Sequence, residues 1–156
     1  MTEKGTLYLI PTTLGDTAET VDVIPVKVHQ VINSIDEYIV ENEKSARHYL
    51  KKIGIIKPLQ EIILYPLNQH TELKEISGYL NSINLGKNIG IISEAGCPGI
   101  ADPGAEVVKS AHERNIKVVP LVGPSSIFLA LMASGFNGQS FTFNGYLPKE
   151  RSERIK

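Results

Sequence analysis

The sequence holds one cysteine, Cys97, and no tryptophan in 156 residues. A single thiol excludes a disulfide framework within the chain. An excess of one charge is also missing, with 16 Lys and Arg against 17 Asp and Glu and a net charge of −1. A general polyanion binder carries far more positive charge than this. No unbroken apolar run approaches the roughly 20 residues that cross a bilayer. The run Leu7 to Pro11, behind a start of mixed charge, is too short for the core of a signal peptide. These absences together predict a cytoplasmic protein with no membrane association. The four histidines, His29, His48, His70 and His112, show no HxxxH spacing, so no metal centre is expected. There is no GxSxG elbow, no GxGxxG and no Gly-Lys-Ser/Thr triplet, which removes the common hydrolase, dinucleotide and P-loop signatures. Internal repeats and low-complexity segments are lacking too.

What is present is ordinary globular material, 42% apolar and 21% charged, in a length suited to one domain with a real core. Short apolar runs alternate with segments of helical period. Leu7 to Ile10, Tyr38 to Val40, Ile62 to Tyr65, Ile89 to Ile92 and Val118 to Leu121 read as strands. Between them lie helix patterns. Val28, Val31, Ile32 and Ile35 share a face behind Pro25. Glu43 to Ile53 forms a polar helix stopped by Gly54. Leu73, Ile76, Leu80 and Ile83 repeat at helical spacing between a Thr71 cap and Gly86. Val107, Val108 and Ala111 mark a helix running to about Asn115. Ser125 opens an apolar helix, Ile127 to Ala133, that Gly135 ends. Phe141 and Phe143 alternate with polar neighbours, which predicts a new strand from about Ser140. The stretch from Lys149 to Lys156 reads as a solvated helix start.

This alternation predicts an α/β fold, a five-stranded mostly parallel sheet flanked by helices over residues 1–121. Residues 122–156 then form a crossover and the beginning of a second, incomplete α/β domain. From Gly123 onward there are too few elements to bury a core, so a further domain is expected beyond Lys156.

Ligands of open α/β sheets sit beyond the carboxyl ends of the strands. Three segments expected there are rich in Gly, Pro and Ser: 11–16, 93–104 and 122–126. The segment Glu94 to Gly104 packs three glycines and two prolines into eleven residues. Such a loop combines stiffness with little bulk and lets a ligand approach the main-chain N–H and C=O groups. That chemistry suits a flat nucleoside held by hydrogen bonds and shape. Gly123-Pro124-Ser125-Ser126 places two hydroxyls at a helix start, where they serve as caps and leave backbone N–H groups free.

Several segments resemble one family in order along nearly the whole chain. IISEAGCPGIADPG, from Ile91 to Gly104, is similar to the strand-four signature of the ribosomal RNA small subunit methyltransferase I family. Gly5 to Thr12 resembles that family's opening strand, Val118 to Gly135 its crossover, and Phe143 to Arg154 the segment that follows. The parent group is the class III, tetrapyrrole-methylase-like methyltransferases. The resemblance implies S-adenosyl-L-methionine as methyl donor, a two-domain homodimer and a ribose 2′-hydroxyl of small-subunit ribosomal RNA as acceptor. It places the cofactor contacts on Leu14, on Ala95, Gly96 and Cys97 with Ile100 beyond, and on Ser125 and Ser126.

The chain departs from the family in three places. It reads Pro-Thr-Thr-Leu-Gly-Asp after strand one where the family has Pro-Thr-Pro-Ile-Gly-Asn. Glu41-Asn42-Glu43-Lys44 stands where an acidic Glu-Asp-Thr-Arg motif is usual. Glu94 replaces an aspartate. The cofactor segments are therefore better kept than the substrate-facing one. Methylation of a tetrapyrrole or other metabolite, and a SAM-binding module without catalysis, are the competing readings. Glu94, Asp102, Asp16 and Glu41 are the carboxylates near the expected crevice, and nothing in the sequence selects one as a base. Cys97 has no base beside it in the sequence and reads as pocket lining.

Overall fold

The computed structural model describes residues 3–15, 19–68, 70–146, 148 and 150–154. They form two compact units, meeting in sequence between Ser125 and Ser126.

The first unit is built on five strands: β1 (Thr6–Ile10), β2 (Glu37–Val40), β3 (Ile63–Pro66), β4 (Ile89–Ile92) and β5 (Lys117–Pro120). They run in the order β3-β2-β4-β1-β5, and every pairing is parallel. The expected mostly parallel sheet is thus entirely parallel. The observed strand limits differ from the expected ones by a residue or so. β2 and β4 are buried along their full length, as strands covered on both faces must be. Pro66, without an N–H to donate, ends β3 at the sheet edge, where that donor is least needed.

Helices cover both faces. One core gathers Ile10, Val28, Ile32, Tyr38, Tyr49 and Leu50, from β1 and β2 with α2 (Val26–Ile32) and α3 (Glu43–Lys52). The other gathers Leu7, Ile39, Ile76, Leu80, Ile89 and Val107, which brings in α4 (Leu73–Tyr79) and α5 (Gly104–Glu113). Each fully buried Leu or Ile contributes roughly 1.5–3 kcal/mol.

Two local expectations fail here. Thr71 does not cap α4. Its hydroxyl accepts the Asn68 N–H at 2.9 Å, and the cap position falls on Glu72, which makes no side-chain cap bond. The tight Asn68–Thr71 turn competes for that hydroxyl and wins. The helix also ends at Tyr79. The pattern continues as a tighter 3₁₀ stretch, Asn81–Leu85, before Gly86 stops it at φ +83°. The Leu73 side chain lies outside the described part. The short α1 (Thr20–Val23) and a 3₁₀ turn at Leu59–Glu61 have no counterpart in the sequence reading.

The second unit contains α6 (Ser126–Ser134) and α7 (Arg151–Arg154). Gly135, at φ +73°, follows α6 as expected. Phe141 packs edge-on against Phe128 of α6, with ring centroids 6.1 Å apart. The strand expected from about Ser140 is absent: residues 140–146 carry no strand pairing. A strand needs a neighbour to take its backbone hydrogen bonds, and the described residues of this unit supply none. In the 149–156 stretch, Lys149, Ile155 and Lys156 lie outside the described residues.

Candidate functional site

The order β4-β1-β5 sets three carboxyl ends side by side, and the three glycine-rich segments leave from them. The loops after β1 and β4 are joined by the backbone: the Thr12 N–H donates to Gly96 O at 2.9 Å. Ser93, buried at the end of β4, donates its hydroxyl to the same carbonyl at 3.2 Å. The β5 loop closes on both. Leu121 N–H donates to Leu9 O at 3.0 Å, and the Cys97 thiol lies 3.4 Å from Pro124 O.

Glycine is required where these loops touch. Gly96 has φ +70°, a left-handed conformation that side chains disfavour, and a Cβ there would lie 3.0 Å from Leu14 Cδ2 and 3.2 Å from Pro124 O. Gly96 thus touches the other two loops at once. A Cβ on Gly123 would come within 2.2 Å of the Pro11 ring.

The β4 loop holds its own shape. Both Asp102 carboxylate oxygens accept the Gly99 N–H at 2.9 Å, and Oδ1 also accepts the Gly104 N–H at 2.8 Å. Between them Ala101 sits at φ +57°, which costs roughly 1–2 kcal/mol outside glycine. Burial pushes the Asp102 carboxyl above its usual range, although the two N–H groups pull the other way.

Beside this junction opens an apolar cleft of about 420 Å³. Leu9 lines it from β1, Cys97 and Ile100 from the β4 loop, Val108 from α5, Pro120 from β5 and Leu121 from just beyond it. Pockets of roughly 300–1,000 Å³ take drug-sized ligands. Burial raises the Cys97 thiol above its ordinary value, so it stays protonated and serves as wall.

The expected contact residues divide as follows. Leu14, Gly96 and Cys97 meet at the loop junction, and Cys97 and Ile100 face the cleft. Ala95 is exposed next to Gly96, and Ser125 is half-buried at the end of the β5 loop. Ser126 is the first residue of α6, exposed, in the second unit. Sequence reasoning missed Leu9, Val108, Pro120 and Leu121. Their signal was weak: Leu9 and Val108 are half-buried apolar residues that look like core, and Pro120 and Leu121 read as the end of a strand.

Of the four carboxylates, Asp16 lies outside the described residues. Asp102 is engaged by the loop, and Glu94 accepts the Ser45 hydroxyl at 2.6 Å. Glu41 accepts the Glu94 N–H at 3.3 Å and borders a recess of about 390 Å³ with Asn68, His70 and Asp102. Burial, with the charges of Asp102 and Glu94 adding to it, raises the Glu41 carboxyl against the pull of that N–H. Among the described residues no cluster of His, Cys, Asp and Glu could hold a metal. None of their helices is long and apolar enough to cross a membrane.

Known proteins match this chain along almost all of its length. It is 30% identical over 152 residues to "Ribosomal RNA small subunit methyltransferase I" of Leptospira biflexa, covering 97% of this chain and 60% of that protein. The protein of the same name from Escherichia coli O157:H7 is 32% identical, over 97% of this chain and 50% of its own length. For Bacillus subtilis the identity is 33%, over 99% and 50%. The chain is thus similar to proteins named ribosomal RNA small subunit methyltransferase I. It spans about half the length of the curated relatives it matches. No family model matches it. The aligned stretch includes the loops that meet at Gly96, so the likeness to these methyltransferases and the cleft concern the same part of the molecule.

Proposed function

We propose that this chain forms a large part of the donor pocket of an S-adenosylmethionine-dependent methyltransferase acting on a ribose hydroxyl of small-subunit ribosomal RNA. The observation that carries the proposal is the meeting of the β1, β4 and β5 loops at Gly96, beside an apolar cleft of about 420 Å³. The similarity to proteins named for ribosomal RNA methylation supports the acceptor.

The residues fit a nucleoside donor. Leu9, Ile100, Val108 and Leu121 offer apolar walls to a flat base. The small side chains of the β4 loop leave main-chain groups open to the polar parts of the ligand. When bound, S-adenosylmethionine supplies a methyl group already activated on a sulfonium. The protein's own task is alignment and exclusion of water. Leu14, Ala95, Gly96, Cys97, Ile100, Ser125 and Ser126 are the contacts proposed for it. Among the three described carboxylates near the crevice, Glu94, Asp102 and Glu41, Glu41 has the longest hydrogen bond, which suits it to face an acceptor hydroxyl. The homodimer and the cytoplasmic setting implied by the family resemblance belong to the same proposal.

Calorimetry of the full-length protein with S-adenosylhomocysteine tests the donor site, and no heat at millimolar ligand ends the reading. Methyl transfer to small ribosomal subunits from a strain lacking the gene tests the acceptor.

A further inference from the structure

Helix α3 touches two of the glycine-rich loops through side chains of one face. Asn42 fixes its start, with Oδ1 accepting the Lys44 and Ser45 N–H groups at 2.9 and 3.2 Å. Ser45 and Tyr49 stand one helical turn apart and so share a face. The Ser45 hydroxyl donates to Glu94 Oε1 of the β4 loop at 2.6 Å. The Tyr49 ring is buried in the core with Ile10, Tyr38 and Leu50, and its hydroxyl donates to Pro11 O at 2.7 Å.

The Tyr49 bond falls at a particular place. Pro11 O belongs to the same peptide unit as the Thr12 N–H, which donates to Gly96 O at 2.9 Å. The C=O and N–H of a trans peptide point in opposite directions. One peptide plane is therefore held from both sides, by a hydroxyl from α3 and by the carbonyl of the glycine where the loops meet. It cannot turn without losing one of the two bonds, and bonds in such a chain strengthen one another. Pro11 adds to the hold, since its φ is locked by the ring and the ring lies against Gly123.

Packing alone does not call for the hydroxyl, because phenylalanine has the same ring. Tyr38 supplies the comparison. It is fully buried in the same core, and its hydroxyl donates to Ile32 O at 2.8 Å and Ile35 O at 3.3 Å. Those carbonyls lie ahead of β2, at the opposite end of the strands from the glycine-rich loops. The two tyrosines are alike in burial and bonding and differ in what they hold.

We propose that Tyr49 is a positioning residue of the methyl-donor site: by fixing the Pro11–Thr12 peptide it sets the β1 loop, and Leu14 with it, against Gly96. It rests on the methyltransferase reading and adds a residue outside the contacts proposed for the donor.

The test pairs Tyr49→Phe with Tyr38→Phe in the full-length protein. Each deletes one buried hydroxyl from the same core, so both should lower the melting temperature. Titration calorimetry with S-adenosylhomocysteine separates them. Tyr49→Phe is expected to weaken binding roughly 3- to 10-fold, the range for one net hydrogen bond, and Tyr38→Phe to bind as wild type. In methyl transfer to ribosomal subunits, Tyr49→Phe should raise the KM for S-adenosylmethionine and leave that for the subunits unchanged. Wild-type affinity in Tyr49→Phe, or equal losses in both variants, overturns the positioning role while leaving the methyltransferase reading intact. Should Tyr49→Phe fail to fold, amide exchange in the wild type decides. A ligand suppresses openings it cannot tolerate, so near-saturating S-adenosylhomocysteine should slow exchange of the Thr12 amide roughly 10-fold or more, and an unchanged rate overturns the proposal. Failure of the wild-type protein to bind S-adenosylhomocysteine overturns that reading, and the role of Tyr49 with it.

Discussion

Replacing Gly123 with alanine tests whether the β1 and β5 loops are locked together. The added Cβ would lie 2.2 Å from Pro11 Cβ and 2.3 Å from Pro11 Cγ. Relaxed carbon contacts are about 3.5–4.0 Å, so the loops must separate by more than an ångström. A long side chain would swing aside, but a proline ring has no rotamer to escape into. Overpacking costs roughly 1–3 kcal/mol, and the rigidity of both partners puts this case in the upper half of that range. At about 2–4 °C per kcal/mol for a protein of this size, the melting temperature should fall by roughly 4–12 °C. The same displacement moves Pro120 and Leu121, which wall the cleft, so S-adenosylhomocysteine affinity should fall at least 10-fold. Scanning calorimetry and titration calorimetry on full-length wild type and variant read both effects. An unchanged melting temperature would show that the loops do not touch as described. A lower melting temperature with wild-type affinity would detach the cleft from the cofactor.

Other predictions concern separate parts of the molecule. Gly78→Ala, at an exposed helical position where a Cβ meets nothing within 4 Å, should stabilise the protein by roughly 0.5–1 kcal/mol in urea unfolding; destabilisation would contradict the α4 assignment. Burial disfavours the charge on Glu37, but hydrogen bonds from Ser82, Lys87 and Tyr65 outweigh it and hold the carboxyl below its usual value. That network should therefore stabilise the fold above roughly pH 4.3 and lose its effect as the pH falls through the depressed folded value. Glu37→Gln should flatten this acid limb in urea melts recorded at decreasing pH, and an acid limb unchanged from wild type would refute the linkage. Cys97, with its thiol pushed up by burial, should react with Ellman's reagent more slowly than free cysteine and more slowly still with S-adenosylhomocysteine present. Protection that does not change with ligand would remove Cys97 from the cleft wall.

How far the sequence could be read depended on the range of each interaction. The run Ile89 to Ile92 shows itself as a buried strand because its burial is written into four consecutive residues. Gly54 and Gly86 mark helix ends because a positive φ is a local demand. The Thr71 cap was misjudged because Thr71 had two local partners to choose from, and the Asn68 turn outcompeted α4. The strand expected at Phe141 and Phe143 was misjudged for another reason: alternation describes what a strand would bury, but pairing needs a second strand. The site belongs to the nonlocal class as well. Thr12 and Gly96 are 84 positions apart, and only the β4-β1-β5 order brings their backbones to 2.9 Å.

Asp102 shows why residue type alone did not assign chemistry. A carboxylate in a glycine-rich loop beside a crevice looks like a base in sequence. In the structure both of its oxygens accept the Gly99 N–H and Oδ1 also accepts the Gly104 N–H, across the strained Ala101. Protonation would weaken those charge-assisted bonds and loosen the loop they hold. Asp102 is therefore a holder of the loop and a poor candidate for proton transfer. Glu41 has one long hydrogen bond and the charges of Asp102 and Glu94 nearby. Its proton affinity is raised and only one N–H of the loop, that of Glu94, rests on it, so under the proposed function it is the better candidate for a base. The difference between the two lies in how many backbone donors each has already taken.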